Sequence, residues 1–157
     1  MGARPSNIIR KQFAQPQEAY FDSHPEVSLD FEIVRQAARQ KYTRPFLILD
    51  TAIVREKARR FRAAMPRVRP HYAVKANPDR RVLRTLIQEG AGFEIASPAE
   101  LDLLLGLGVP AAEVLYSNPV KAREWIAQAA EKGVEWFVLD SVDELQRIVD
   151  VKPDAKL

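Results

Sequence analysis

From about residue 44 onward, apolar and polar positions along the chain follow a repeating order. Short, β-prone apolar runs begin at Phe46 (FLIL), His71 (HYAV), Gly92 (GFEI), Val114 (VLY) and Glu135 (EWFVL), their starts 25, 21, 22 and 21 residues apart. Each is followed by apolar positions at helical spacing. Thr51 to Ala64 carries Val54, Ala58 and Phe61, with Met65 just beyond. Asp79 can cap a helix that bears Val82, Leu83, Leu86 and Ile87 and ends at Gly90. The segment SPAE at 97–100 is a capping box with proline at the first helical position, and it opens LDLLLGLG, closed by Gly106 or Gly108. Lys121 to Lys132 predicts a helix burying Trp125, Ile126, Ala129 and Ala130, ended by Gly133. A second capping box, SVDE at 141–144, leads into Leu145, Ile148 and Val149.

Strands that alternate with single helices require a parallel sheet with the helices packed outside it. The short, even period favours a barrel over a doubly wound sheet, and no GxGxxG or Walker A loop supports a nucleotide-binding fold. The expected fold is therefore α/β, the N-terminal part of a TIM (β/α)8 barrel. About five βα units are present, against the roughly 200 residues or more that a closed barrel needs. Such a piece has open sheet edges and is expected to self-associate, pair with a further half or be marginally stable. Residues 1–43 read differently. They are polar, interrupted by Pro5, Pro16 and Pro25, and suggest an arm with a short helix near Gln17–Tyr20 and an amphipathic helix over 31–41. The partial barrel is assigned to 44–157.

Composition narrows the function classes. No apolar run approaches the ~20 residues that span a bilayer, and the first residues have no secretory apolar core, so no membrane role is expected. Cysteine is absent, which removes disulfides, thiolate metal sites and a cysteine nucleophile and is compatible with a cytoplasmic location. The net charge of +3 is small. The arginines between Arg67 and Arg84 read as a solvated helix face and loop rather than a nucleic-acid surface, since no recognisable module accompanies them. No His/Asp/Glu cluster has metal-ligand spacing, and no G-x-S-x-G nucleophile motif occurs.

Parallel α/β folds bind ligands beyond the carboxyl ends of their strands. Those ends carry Asp50, Lys75 to Asn77, Glu94 to Ser97, Ser117 with Asn118, and Asp140 with Ser141. Lys75 is the most informative. A lysine desolvated at a strand mouth loses preference for its ammonium form, and a neutral amine there can form a Schiff base; the plain alternative is a lysine reaching to solvent. Glu94 interrupts an apolar run and could pair with Lys75 or with a cofactor cation, or be an edge carboxylate with an ordinary partner. Ser97 and Ser141 read as helix caps, Asp50 and Asp140 as supports for turns or caps, His71 as a packed or rim residue, and Tyr116 and Trp125 as core or interface.

Together, PHYAVKANP, GFEIASPAEL, LGLGV, VLYSNPVK and FVLDSVDEL resemble the fold-type III pyridoxal-phosphate decarboxylases, the ornithine, lysine, diaminopimelate and arginine decarboxylases built on an alanine-racemase-like barrel. The resemblance runs from about Arg44 to Leu157. It implies that Lys75 holds pyridoxal 5'-phosphate as a Schiff base. It further implies that Ala73 and Asn77 line the cofactor, and that Glu94, where many members have aspartate, is the acidic group close to the lysine. YSNPVK looks like the ornithine/lysine branch, which implies a basic amino-acid substrate, a diamine product and a place in polyamine biosynthesis. The family's phosphate-binding glycine loop, its ring-stacking histidine, the acidic partner of its pyridine nitrogen and its β-domain lie beyond Leu157. The chain alone is therefore expected to be inactive, with a homo-oligomer or a C-terminal half completing it. The alternative is a non-catalytic regulatory or pyridoxal-phosphate-binding homologue that acts through a partner.

Overall fold

The computed structural model describes Arg35, Gln36, Arg39 and residues 47–157. The three residues in the first group are helical, within the helix expected over 31–41; the expected arm and the helix near Gln17–Tyr20 lie outside the described residues. The chain divides into two compact units, Met1–Leu49 and Asp50–Leu157. The second carries all the elements below.

Its elements alternate in chain order. They are α1 (Thr51–Ala64), β1 (His71–Ala73), α2 (Arg80–Gln88), β2 (Gly92–Ile95), α3 (Pro98–Leu105), β3 (Val114–Tyr116), α4 (Arg123–Glu131), β4 (Trp136–Phe137) and α5 (Val142–Val151). The four strands form one parallel sheet in the order β1-β2-β3-β4. Strand order equal to chain order is what successive right-handed βα crossovers produce. It is the progression expected of a barrel wall, without the switch in strand order of a doubly wound sheet. A further parallel bridge joins Trp136 to Lys156 and carries the progression past β4.

The register sorts the side chains by face. Phe93 pairs with Val114, and Ile95 with Tyr116, which pairs in turn with Phe137. Because strand side chains alternate, this set shares one face, and every member is buried. The helices cover it with Leu83 and Leu86 of α2, Leu101 and Leu104 of α3, Ile126 of α4 and Ile148 of α5. The opposite face carries His71, Ala73, Glu94, Leu115 and Trp136, all of them partly exposed. One buried face and one partly exposed face is the arrangement of a barrel wall seen from outside and inside.

The caps follow the sequence reading. Asp50 accepts from Ala52 N at 2.8 Å at the start of α1, and Ser97 and Ser141 accept from Glu100 N and Glu144 N at the starts of α3 and α5. Gly90 and Gly133 follow α2 and α4 with φ of 74° and 91°, a left-handed conformation that glycine adopts without penalty.

Two expectations are corrected. The FLIL run forms no strand in its described part, Leu47–Leu49, and Leu47 is 99% exposed. Apolar character alone does not make a strand: a strand exists through its pairing, and β1 pairs only with β2 among the described residues. The described sheet thus has four strands rather than five. The α4 helix begins at Arg123, not Lys121, and turns Ile126 and Ala129 inward while Trp125 remains 37% exposed.

Candidate functional site

The carboxyl ends of the four strands lie along one edge of the sheet. At β1, the chain leaves Ala73 directly into a 3-10 turn, Val74–Ala76. Val74 is fully buried and pins the turn, whereas Lys75 and Ala76 are exposed. Lys75 therefore stands two residues beyond the strand rather than on it, with its amine out of the core. No hydrogen bond or ion pair among the described residues holds that amine. The desolvation expected from sequence is not what presents it; presentation comes from a short turn anchored by its buried neighbour.

Asn77 follows the turn. Its carbonyl accepts from the Tyr72 hydroxyl at 3.3 Å, and its side-chain oxygen accepts from Asp79 N at 3.0 Å. The Tyr72 ring packs edge-on to Phe93, with ring centres 6.4 Å apart. Partial burial raises the pKa of the Tyr72 phenol, and the bond to Asn77 does not reverse this. Asn77 thus shapes the turn that presents Lys75. Across the sheet, Ala73 pairs in register with Glu94. Both lie on the partly exposed face, and the alanine methyl leaves space beside the carboxylate. Glu94 is half-buried and has no hydrogen-bond or ion-pair partner among the described residues. A primary amine with no partner among the described residues, a carboxylate on the adjoining strand and a small residue in register with it form a donor set that suits an aldehyde cofactor carrying a basic ring.

The next strand ends are tied together by a group that the sequence reading left among ordinary motif positions. Lys121 is 1% exposed, and its ammonium makes three contacts: Asn118 O at 2.8 Å, Val138 O at 2.7 Å and Glu144 Oε1 at 2.8 Å. Glu144 is equally buried; it also accepts from Lys121 N at 3.1 Å and pairs with Arg147. Arg147 in turn donates to Lys121 O at 3.2 Å. The ammonium lies 5.7 Å from the centre of the Tyr116 ring. Tyr116 stacks on Phe137 at 6.0 Å, and its hydroxyl is buried without a partner among the described residues. Burial, with Glu100 and Glu144 nearby, pushes that hydroxyl up to about 12. The sequence signal for this cluster is a lysine two residues after an Asn-Pro pair, together with a glutamate in a capping box.

An apolar hollow of about 440 Å³ lies elsewhere, lined by Leu115, Trp136, Phe137, Leu139 and Leu145 among others. None of its lining comes from β1 or β2, and none of it titrates, so it belongs to the flank of β4 rather than to the chemistry of Lys75. No group of three or more metal-ligating side chains occurs among the described residues, and no helix among them is long and apolar enough to cross a membrane.

The single parallel sheet in chain order, with one buried face, defines a barrel-type α/β domain. Residues 51–157 match the pyridoxal binding domain of the pyridoxal-dependent decarboxylases. The chain belongs to that family, whose cofactor is pyridoxal phosphate. Ornithine decarboxylase of Schizosaccharomyces pombe is 41% identical over 112 residues, which are 71% of this chain and 26% of that protein. Antizyme inhibitor 2 of Xenopus laevis is 35% identical over 126 residues, 80% of this chain and 28% of that protein. The lysine/ornithine decarboxylase of Vibrio vulnificus, solved with putrescine, superposes with a TM-score of 0.74 at 33% identity, covering 82% of this chain and 35% of that one. These neighbours place the chain on the ornithine/lysine branch, as a partial N-terminal portion of their TIM-barrel fold. The chain spans about a quarter of the length of the curated relatives it matches.

Proposed function

We propose that the chain is the N-terminal part of a decarboxylase that converts ornithine or lysine to a diamine, with Lys75 as the residue that holds the cofactor. The observation that carries this reading is the placement of Lys75: an exposed amine with no partner among the described residues, two residues past β1, beside the Ala73–Glu94 pair. Lys75 Nζ is the anchoring nucleophile. Val74, by its burial, fixes where that nitrogen stands, and Asn77 fixes the turn's exit. Glu94 places negative charge on the same face, where it can face a cationic ring or amine, and Ala73 keeps the wall beside it shallow. Bound pyridoxal phosphate supplies an electron sink for the electron pair left behind when carbon dioxide departs. The reading takes 44–157 as the cofactor-binding part and 1–43 as an arm, in a protein of the cytoplasm, where a chain without cysteine loses nothing.

The chain alone is inactive on this reading, because a homo-oligomer or a C-terminal half must complete the site. The test is to mix the chain with pyridoxal phosphate, trap it with borohydride and map the modified lysine by mass spectrometry. Label on Lys75 without turnover of ornithine or lysine is the expected result. Label elsewhere, or none, overturns the assignment of Lys75; turnover near the ~10 per second of a median enzyme overturns the claim of inactivity. A second reading, a non-catalytic homologue that acts through a partner, draws on the likeness to antizyme inhibitor 2. The presence of lysine at position 75 favours the first.

A further inference from the structure

Two helices of the chain begin with the same four-residue logic, and their glutamates behave differently. In the first box, Ser97 caps Glu100 N, and Glu100 Oε2 reaches back to Ala96 N at 2.7 Å, which is the ordinary local use of a capping-box glutamate. In the second, Ser141 caps Glu144 N in the same way, but Glu144 turns away from its own helix start. It crosses to the loop after β3, where it meets both the backbone and the ammonium of Lys121. The departure is paid for in desolvation: a carboxylate and an ammonium are both held out of water, at positions 1% exposed.

Stability alone is a poor account of such a pair. Desolvation of two charges offsets much of their attraction, and apolar residues of similar volume often serve the fold as well or better. What apolar residues cannot do is donate to carbonyls. Lys121 Nζ donates to two, Asn118 O in the β3–α4 loop and Val138 O after β4. Both loops are registered to the strands beneath them, through Ser117 N to Ile95 O and Val138 N to Tyr116 O, each at 2.9 Å. Asn118 Nδ2 closes the first loop on itself by donating to Val120 O at 2.8 Å. The ammonium is therefore the fastener between two strand-end loops at the edge where Lys75 stands.

We infer that Lys121 is a positioning residue: held by Glu144, it latches the β3–α4 loop to the loop after β4 and fixes the shape of the mouth that receives the cofactor. The statement about the cofactor rests on the function proposed above; the statement about the loops does not. The experiment uses the full chain, its K121M/E144L double variant and E144Q, which keeps the shape of the carboxylate and removes its charge. Amide hydrogen exchange reports the loops, thermal unfolding reports the fold, and the visible dichroism and apparent affinity of added pyridoxal phosphate report the mouth.

The double variant is expected to unfold near the wild-type midpoint, yet to exchange at 117–122 and 138–141 about tenfold faster. Its apparent cofactor affinity is expected to fall by about tenfold, with an altered dichroic band. Wild-type exchange in both loops of a folded double variant overturns the latch. If the double variant does not fold, E144Q decides in the same way: faster loop exchange supports the latch, and unchanged exchange overturns it. A wild-type chain that takes no cofactor at Lys75, but whose variants show the faster loops, leaves the latch standing and fails the proposed function instead. Faster loops with unchanged affinity and dichroism overturn the claim that they shape the mouth.

Discussion

The imidazole of His71 lies over the α-carbon of Gly92 so closely that a Cβ built there would come within 2.6 Å of His71 Cε1 and 2.7 Å of Nδ1. The two residues pair in register at the start of the β1–β2 ladder, on the partly exposed face that also carries Ala73 and Glu94. Glycine is required here for close approach: position 92 is the floor on which the ring rests. Replacing Gly92 with alanine must drive the ring off that floor or part the strands, an overpacking expected to cost about 1–3 kcal/mol. Removing the ring first should relieve the clash, so H71A/G92A should be less destabilised than the two single variants added together. Urea unfolding of the four proteins in this cycle measures the coupling. Additive effects would mean that the ring and the glycine do not meet.

A different tie holds α1. None of its residues is buried, so little core packing fastens it. Instead, Glu89, at the end of α2, receives three arginines from α1: Arg59 in a two-pronged contact at 3.0 Å, Arg62 at 3.0 Å and Arg55 at 3.3 Å. Arg62 also donates to the Glu89 carbonyl at 2.5 Å. The hydrogen bond from Arg59, with the charges of all three guanidiniums, lowers the Glu89 pKa from its usual 4.5. E89Q leaves three cations crowded around a neutral amide. It should lower the melting temperature by on the order of 5 °C and speed amide exchange in α1 more than in α3. A uniform loss across all helices would show that the cluster is not what holds α1.

The sequence made the local elements legible and the partnerships much less so. Residues 51–64 were read as a helix from their own spacing, and Asp50, Ser97, Ser141, Gly90 and Gly133 marked ends correctly, because caps and stops depend on neighbours in the chain. FLIL failed for the opposite reason: its apolar pattern was sound, but no described strand pairs with Leu47–Leu49. Lys75 was placed at the right edge of the sheet but on the strand, since an apolar run does not reveal that its last member, Val74, is buried within a turn. Lys121 stands in the sequence reading as the first residue of a helix whose buried positions are Trp125, Ile126, Ala129 and Ala130. Its burial depends on Glu144, 23 positions later, and the S-x-x-E pattern of that glutamate is identical to the local one at Ser97. A pattern match does not show which way a carboxylate turns.

Asp79 gives the α2 start a defined response to acid. Its side chain accepts from Arg81 N at 2.8 Å and pairs with the Arg81 guanidinium at 2.7 Å, and these contacts lower its pKa from 3.8 to about 2. A carboxylate whose folded pKa lies below its unfolded value stabilises the fold fully above the unfolded value and loses that contribution as pH falls through the folded one. The window for Asp79 is therefore about pH 4 down to about 2. D79N keeps an N-cap acceptor but cannot titrate. It should lose the part of the acid dependence that falls within this window while keeping most of the α2 helicity, and D79A should lose both. Urea midpoints from pH 6 to 2 test this. A D79N profile as steep as wild type between pH 4 and 2 would assign the acid response to other carboxylates.

Tyr116 presents the reverse case, a polar group whose removal should do no harm. Its ring is wholly buried, stacked on Phe137 and lying beneath the Lys121 ammonium, while its hydroxyl has no partner among the described residues. Burial first, then the negative fields of Glu100 and Glu144, push its ionisation up to about 12, so the group remains a neutral hydroxyl throughout the physiological range. A buried hydroxyl without a hydrogen bond is a desolvation penalty without return. Y116F deletes that oxygen and keeps the ring, its stacking and its face toward the ammonium. The variant should therefore be neutral or more stable by up to about 1 kcal/mol, whereas Y116A, which empties the space beneath Lys121, should lose about 3–5 kcal/mol. If Y116F is destabilised by as much as a lost buried hydrogen bond, the hydroxyl has a partner in solution, and Glu100 and Glu144 are the two acceptors to test by substituting glutamine at each.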